Sequence, residues 1–339
     1  MPDSSFPILV LIIVLAIGFG IVNGFNDAAN AIATVIGTRT LSPRNAIAMA
    51  AVLNFAGAAT GLAVAHTIGK GILVPEAITF ATVIAALISI IIWGTLASLM
   101  GLPISLHHGF IAGLAAAGIA VSGTHAVVWS VMATILLAVI IAPALGFAGG
   151  YVLMNIIFWV FRRASPASIR SLFSNLHIAS AAFMAYSHGK NDGQMPIGVI
   201  TMALVIFYND PGLWDRLSLL NGETWWIIVL SAVAISTGTA LGGRRVIRTL
   251  GLRVTTLRPV HGFAASSSAA TVVEVASHFG IPVSTTHNIS AAIMGVGSTT
   301  RLSAVRWGIA GNIVAAWILT FPICGALGFL FSWLLNLIF

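Results

Sequence analysis

This chain has little charge and almost no cysteine. Of its 339 residues only 7% are charged, while 58% are hydrophobic. Such a composition excludes a water-soluble domain of this size, because one core cannot hide so many apolar residues. The single cysteine, Cys324, excludes an internal disulfide framework and says little about compartment. The first residues, MPDSSFPILV, carry no basic cluster ahead of the apolar run, so the first hydrophobic stretch reads as a retained helix and not as a cleaved signal. A net charge of +7 would suit nucleic acid in a soluble protein. In a membrane chain it marks cytoplasmic loops instead, and no nucleic-acid partner is expected.

What is present is a succession of apolar stretches, each near the roughly 20 residues a helix needs to cross the hydrocarbon. The chain therefore reads as an all-α polytopic membrane protein. It also repeats. LASLMGLPISLHHGFIAGLAAAG (96–118) aligns with VASHFGIPVSTTHNISAAIMGVG (275–297) at an offset of 179, pairing Gly101 with Gly280, Pro103 with Pro282, Ser105 with Ser284 and His108 with His287. NGFND (23–27) aligns with HGKND (188–192) at an offset of 165. Two halves follow: residues 1–161, a cytoplasmic linker at 162–176, and residues 177–339.

Charge orients the halves. Arg162, Arg163 and Arg170 in the linker, and Arg244, Arg245, Arg248, Arg253 and Arg258 later, should face the cytoplasm. The loop with Asp210, Asp215 and Glu223 should lie outside. The first-half loop that corresponds to it carries Arg39 and Arg44, so the halves are expected to be inverted. Each would hold about five transmembrane helices, in the first half roughly 6–34, 45–68, 78–101, 124–142 and 143–161. Both termini would be outside, in a multi-pass cytoplasmic (inner) membrane protein. Arg301 and Arg306 then fall on the outer side, against the charge bias.

LPISLHHGFIAGLAAAG and IPVSTTHNISAAIMGVG are too short and too polar at their starts for ordinary spans. A re-entrant hairpin in each repeat fits better, since irregular backbone at membrane depth is tolerated where it lines a cavity. The helix N-terminus at each tip would offer free N–H groups to an anion. Inverted repeats with broken helices meeting near the midplane form a secondary-transporter pattern. Asn23, Asn26, Asp27 and Asn30, polar residues within an apolar run, would then line a substrate and ion site.

GFNDAANAIAT, SHGKNDGQMPIGVI and GIPVSTTHNISAAIMGVG together resemble the paired signatures of the inorganic phosphate transporter (PiT) family, and the likeness covers essentially the whole chain. The resemblance implies cation-coupled symport of inorganic phosphate by alternating access. It points to Asn26, Asn30, Ser105, His108, Asn191, Gln194, Ser284, Thr285, Thr286 and His287 as substrate-binding residues, and to Asp27 and Asp192, with Asn23 beside them, as cation-binding and coupling residues. Leu106 and His107 stand where the family usually has Ser or Thr, Met195 where the first repeat has Asn30, and Ser266 and His66 where relatives carry Glu. The coupling ion, H⁺ or Na⁺, is therefore left open. So are metal-complexed phosphate as substrate, a homodimer, and a bound Na⁺ as the one cofactor candidate.

Charge balance argues separately for coupling. An anion beside two buried carboxylates is repelled at low dielectric unless cations or protons enter with it. A sulfate or other tetrahedral oxyanion permease of the same fold is the alternative, and an anion channel is less favoured because channels usually surround an axis with identical subunits. A hydrolase would need a nucleophile or metal motif; no Gly-x-Ser-Gly, His-Glu-x-x-His or Gly-x-Gly-Asp string occurs, and His107 with His108 lacks the companion ligands of a zinc site.

Overall fold

The computed structural model describes residues 5–337, almost entirely as helix. The first half comprises α1 (Phe6–Gly37), α2 (Pro43–Ala58), α3 (Ala63–Lys70), α4 (Phe80–Met100), α5 (Leu106–Ser122) and α6 (Trp129–Val160). The second comprises α7 (Pro166–Asp192), α8 (Gln194–Tyr208), α9 (Trp225–Leu241), α10 (Arg244–Arg248), α11 (Pro259–His278), α12 (Thr285–Ser298) and α13 (Trp307–Asn336). The helices α1, α4, α6 and α13 are each long and apolar enough to span a bilayer; so is each of two bent pairs, α2 with α3 (70°) and α9 with the helical segment Arg244–Arg253 that α10 begins (61°).

The two expected hairpins are present, and their sequences explain them. Gly101 (φ 75°) ends α4 and Gly280 (φ 68°) stands just past the end of α11, both in the left-handed region that glycine adopts without strain. Pro103 and Pro282 follow and prevent the helix from resuming. Ser105 then caps α5 by accepting from His108 N (3.3 Å), and Ser284 caps α12 by accepting from His287 N (3.1 Å). A Gly-x-Pro-x-Ser string is thus a stop, a turn and a restart. In the first hairpin the limbs are antiparallel: Gly94 packs on Leu106, Gly109 on Ile90 and Gly113 on Ser89.

Glycines on other helices allow backbones to touch. Gly57 of α2 packs against the Tyr186 carbonyl of α7, and Gly238 of α9 against the Ile21 carbonyl of α1. Helix directions follow from such contacts. α4 runs parallel to α1, with Gly18 beside Ile91 and Asn26 bonded to Ser98. α7 runs antiparallel to α1, with Thr34 bonded to His177 and Asp27 close to His188. Across the halves, α5 packs against α13 and α12 against α6.

Three expectations change here. The span expected at 78–101 is α4, which ends at Gly101 and turns back through α5, so it is the first limb of the hairpin and not a separate crossing. α6 is one helix of 32 residues that contains Pro143, where two spans at 124–142 and 143–161 were expected; the freed carbonyl of a membrane-helix proline can be satisfied locally. The linker expected at 162–176 is shorter, because α7 begins at Pro166, with Ser165 accepting from Ser168 N (3.2 Å).

With α4 a hairpin limb and α6 a single helix, each half traverses the bundle three times and adds one hairpin that turns back inside it. All twelve arginines other than Arg216 then fall at one end. Arg162, Arg170 and Arg258 line one cavity there with Thr38, Arg44, Arg244 and Arg248 line another, and Arg306 bonds the Leu252 and Arg253 carbonyls. Arg301 and Arg306, expected on the opposite side, join this end. The other end carries Arg216 paired with Asp210 and Glu223, and Trp214 packed on His66.

Candidate functional site

Asn23, Asn26, Asp27 and Asn30 are spaced i, i+3, i+4 and i+7, so one face of α1 carries all four, and all are buried. His188, Asn191 and Asp192 repeat the i, i+3, i+4 spacing on α7 and are likewise buried. These two faces meet at the hairpin tips.

The aspartates share their bridging partners. His188 Nε2 lies 3.9 Å from Asp27 Oδ2 and 3.6 Å from Asp192 Oδ2. The Asn23 amide, oriented by these neighbours, donates to the same two oxygens at 3.1 and 3.2 Å. The ligand atoms of Asp27, His188 and Asp192 all lie within 4.8 Å of one another. Asn54 of α2 holds the imidazole from behind, Oδ1 to Nδ1 at 2.9 Å, while its own amide donates to Thr239 (2.7 Å). His107, from the first tip, faces Asp192 (Nδ1 to Oδ2, 3.4 Å).

The second tip is tied to α1. Asn30 donates to the Thr285 and Thr286 hydroxyls at 3.0 and 2.9 Å, and Thr286 donates to Asp27 Oδ1 at 2.9 Å. Asn191 donates to Asp192 (3.0 Å) and to the Val283 carbonyl (2.8 Å), and accepts from Ser277 (3.1 Å). Asn26 donates to Ser98 (2.7 Å) at the first hairpin. The two tips touch through His108 and His287, whose ring centroids are 4.9 Å apart; His287 stacks on Trp317 and His108 on Phe321, both from α13.

Several buried polar atoms have no protein partner, among them Asn26 Oδ1, Asn30 Oδ1, both ring nitrogens of His108 and of His287, and both amide atoms of Asn288. Such groups are costly unless they serve a function. The cluster therefore combines two carboxylates with unsatisfied neutral donors and acceptors, which suits an anion accompanied by a cation.

The structure thus assembles Asn23, Asn26, Asp27, Asn30, Asn191, Asp192, Thr285, Thr286, His108 and His287 around the two tips, with Ser105 and Ser284 as the tip caps. Gln194 is placed elsewhere: it begins α8 and accepts from Val64 N and Ala65 N (2.7 and 3.1 Å), capping α3. Lys190 turns away from Asp192 and pairs with Glu274 of α11. Sequence reading overlooked His188, Ser98, Ser277 and Asn54, and gave His107 no place beside the aspartates. A signal existed for His188, since the 165-residue offset sets it opposite Asn23, and both bridge the aspartates.

Known proteins resemble this chain along essentially its whole length. The model of the phosphate transporter family matches residues 23–168 and 162–328. A protein of Rhizobium meliloti named a probable low-affinity inorganic phosphate transporter is 40% identical over 94% of this chain and 93% of its own. One of Bacillus subtilis with the same name is 37% identical over 99% of this chain and 100% of its own. A solved structure named the sodium-dependent phosphate transporter superposes with a TM-score of 0.88 at 25% identity, covering 98% of this chain and all of that one. These relatives are named as transporters, not enzymes. With its re-entrant tips, paired Asn-Asp faces and full-length likeness, this multi-pass membrane chain belongs to the phosphate transporter family.

Proposed function

We propose that this protein is a secondary active transporter that carries inorganic phosphate with a monovalent cation, in which the two hairpins exchange access to one central site. The observation that carries the reading is the Asp27–His188–Asp192 cluster beside the Thr285–Thr286 tip. A phosphate anion placed there meets two negative charges unless a cation enters with it, so coupling follows from electrostatics. The carboxylate and amide oxygens of Asp27, Asp192 and Asn23 suit Na⁺, and the sodium-dependent structural relative supports that choice. Asn30, Thr285 and the tip N–H groups would hold phosphate oxygens without a fixed positive charge that slows release.

The packing supports an inverted repeat. α1 and α9 touch as α7 and α2 do, α5 and α13 as α12 and α6 do, and α7 opposes α1 in direction. With the arginine end in the cytoplasm, both termini lie outside. Phosphate uptake into proteoliposomes under separately imposed Na⁺ and H⁺ gradients tests the function. Accumulation driven by one of them and reduced by unlabelled phosphate but not sulfate is expected. Passive equilibration unaffected by either gradient would leave a channel.

A further inference from the structure

We propose that the arginine-lined cleft between the end of α6 and the starts of α7 and α11 is a binding site for an anionic glycerophospholipid. The cleft encloses about 640 Å³, within the roughly 300–1,000 Å³ range of small-molecule sites. Its walls differ in chemistry. Met154, Ile157, Phe158 and Phe161 form an apolar side, and Arg162, Arg170 and Arg258 supply guanidinium groups. That division matches a lipid whose phosphate sits among arginines while its upper acyl segments lie along α6. Guanidinium groups hold phosphate oxygens through paired N–H donors.

Charge complementarity favours this occupant. The chain has eight acids, and none lies in the segments that carry the twelve arginines of this end. Among the described residues the ion pairs of arginine and lysine are confined to Arg216 and Lys190, so no carboxylate neutralises the cleft. Depth agrees as well. Trp159 is 68% exposed and carries the Arg162 guanidinium 5.4 Å from its ring, the pairing expected where hydrocarbon meets headgroups. Basic pockets between membrane helices on the cytoplasmic side recruit anionic headgroups in this way.

The test uses purified full-length protein in neutral detergent, with native mass spectrometry to count retained lipid. Phosphatidylglycerol should be retained and phosphatidylcholine not. Arg162→Gln/Arg170→Gln/Arg258→Gln should weaken retention about 100-fold, since a surface arginine near anionic lipid contributes about a factor of five. Arg163→Gln/Arg253→Gln/Arg301→Gln removes the same charge away from the cleft and should change it by less than about threefold. If the triple variant does not fold, Arg258→Gln alone should still show about a fivefold loss. Equal loss in both triple variants would mean diffuse surface charge and overturn the site. Equal retention of phosphatidylcholine would reduce it to an apolar groove, and displacement of lipid by millimolar inorganic phosphate would reassign it to the free anion. None of these readouts depends on transport, so the lipid proposal and the transporter reading can fail independently.

Discussion

Asp192→Asn should uncouple transport, and the structure sets the scale. Asp27 and Asp192 offer oxygens within 4.8 Å of each other. Two unit charges at that distance repel by about 3.5 kcal/mol at an effective dielectric constant of about 20. A cation bound beside both gains an attraction of at least this order from each carboxylate, so the loss of one corresponds to roughly 300-fold in its affinity at about 1.4 kcal/mol per decade. Replacing one carboxylate by an amide of the same shape removes that drive and keeps the hydrogen bonds with Asn191 and His107 largely available. The half-saturating concentration of the coupling cation should therefore rise by two to three decades, on the order of the value above. Concentrative phosphate uptake in proteoliposomes should fall below detection, while the protein remains folded in the membrane and exchanges labelled for unlabelled phosphate at equal concentrations. Asp27→Asn should behave alike, its amide oxygen still accepting from Thr286. Wild-type cation dependence in either variant would remove that aspartate from the mechanism.

His188→Asn, which copies the residue at the equivalent position of the first repeat, should retain measurable uptake, whereas His188→Leu should abolish it; equal activity of the two would deny the imidazole its bridging role. Gln194→Ala removes the acceptor for two amides of α3 and should lower stability by about 0.5–2 kcal/mol, seen as a lower melting temperature, with the apparent phosphate affinity unchanged. A shift in affinity instead would restore Gln194 to the substrate site. Cysteines at Ser168 and Thr256, both exposed at the arginine end, should be protected from an impermeant thiol reagent in intact cells, and one at Ser218 should react; Cys324 is buried and gives no background. The opposite labelling would reverse the orientation.

The local parts of the site were legible in the sequence. Helical spacing puts Asn23, Asn26, Asp27 and Asn30 on one face, and the Gly-x-Pro-x-Ser strings mark a stop and restart wherever they occur. What the sequence withheld were partners remote along the chain. Asn54 meets His188 across 134 residues, and Asn30 meets Thr285 across 255. Nothing in the spacing near Asn54 announces that contact. Gln194 shows the converse: motif position suggested the anion site, but the helix breaks at Gly193, and the restarted α8 aims that side chain at the exposed amides of α3.

Membrane topology depended on two helices in each half, the limb before the hairpin and the final helix. Counting the limb before each hairpin as a full crossing moved the loop after each hairpin to the wrong end, so Arg301 and Arg306 seemed to defy the charge bias. Pro143 lies at the boundary of the two expected spans, and a proline inside a membrane helix costs less than it would in water-exposed helix because neighbouring groups satisfy the freed carbonyl. Pro322 sits at the same place in α13, which is also unbroken. Three traverses and five are both odd, so the expected opposition of the halves does not depend on the miscount. Only the loops after each hairpin change ends, and the change brings Arg301 and Arg306 beside the Leu252 and Arg253 carbonyls and the other ten arginines. An end with twelve arginines and no acid is stable only against anions or water, which is the condition of a membrane face turned toward anionic lipid.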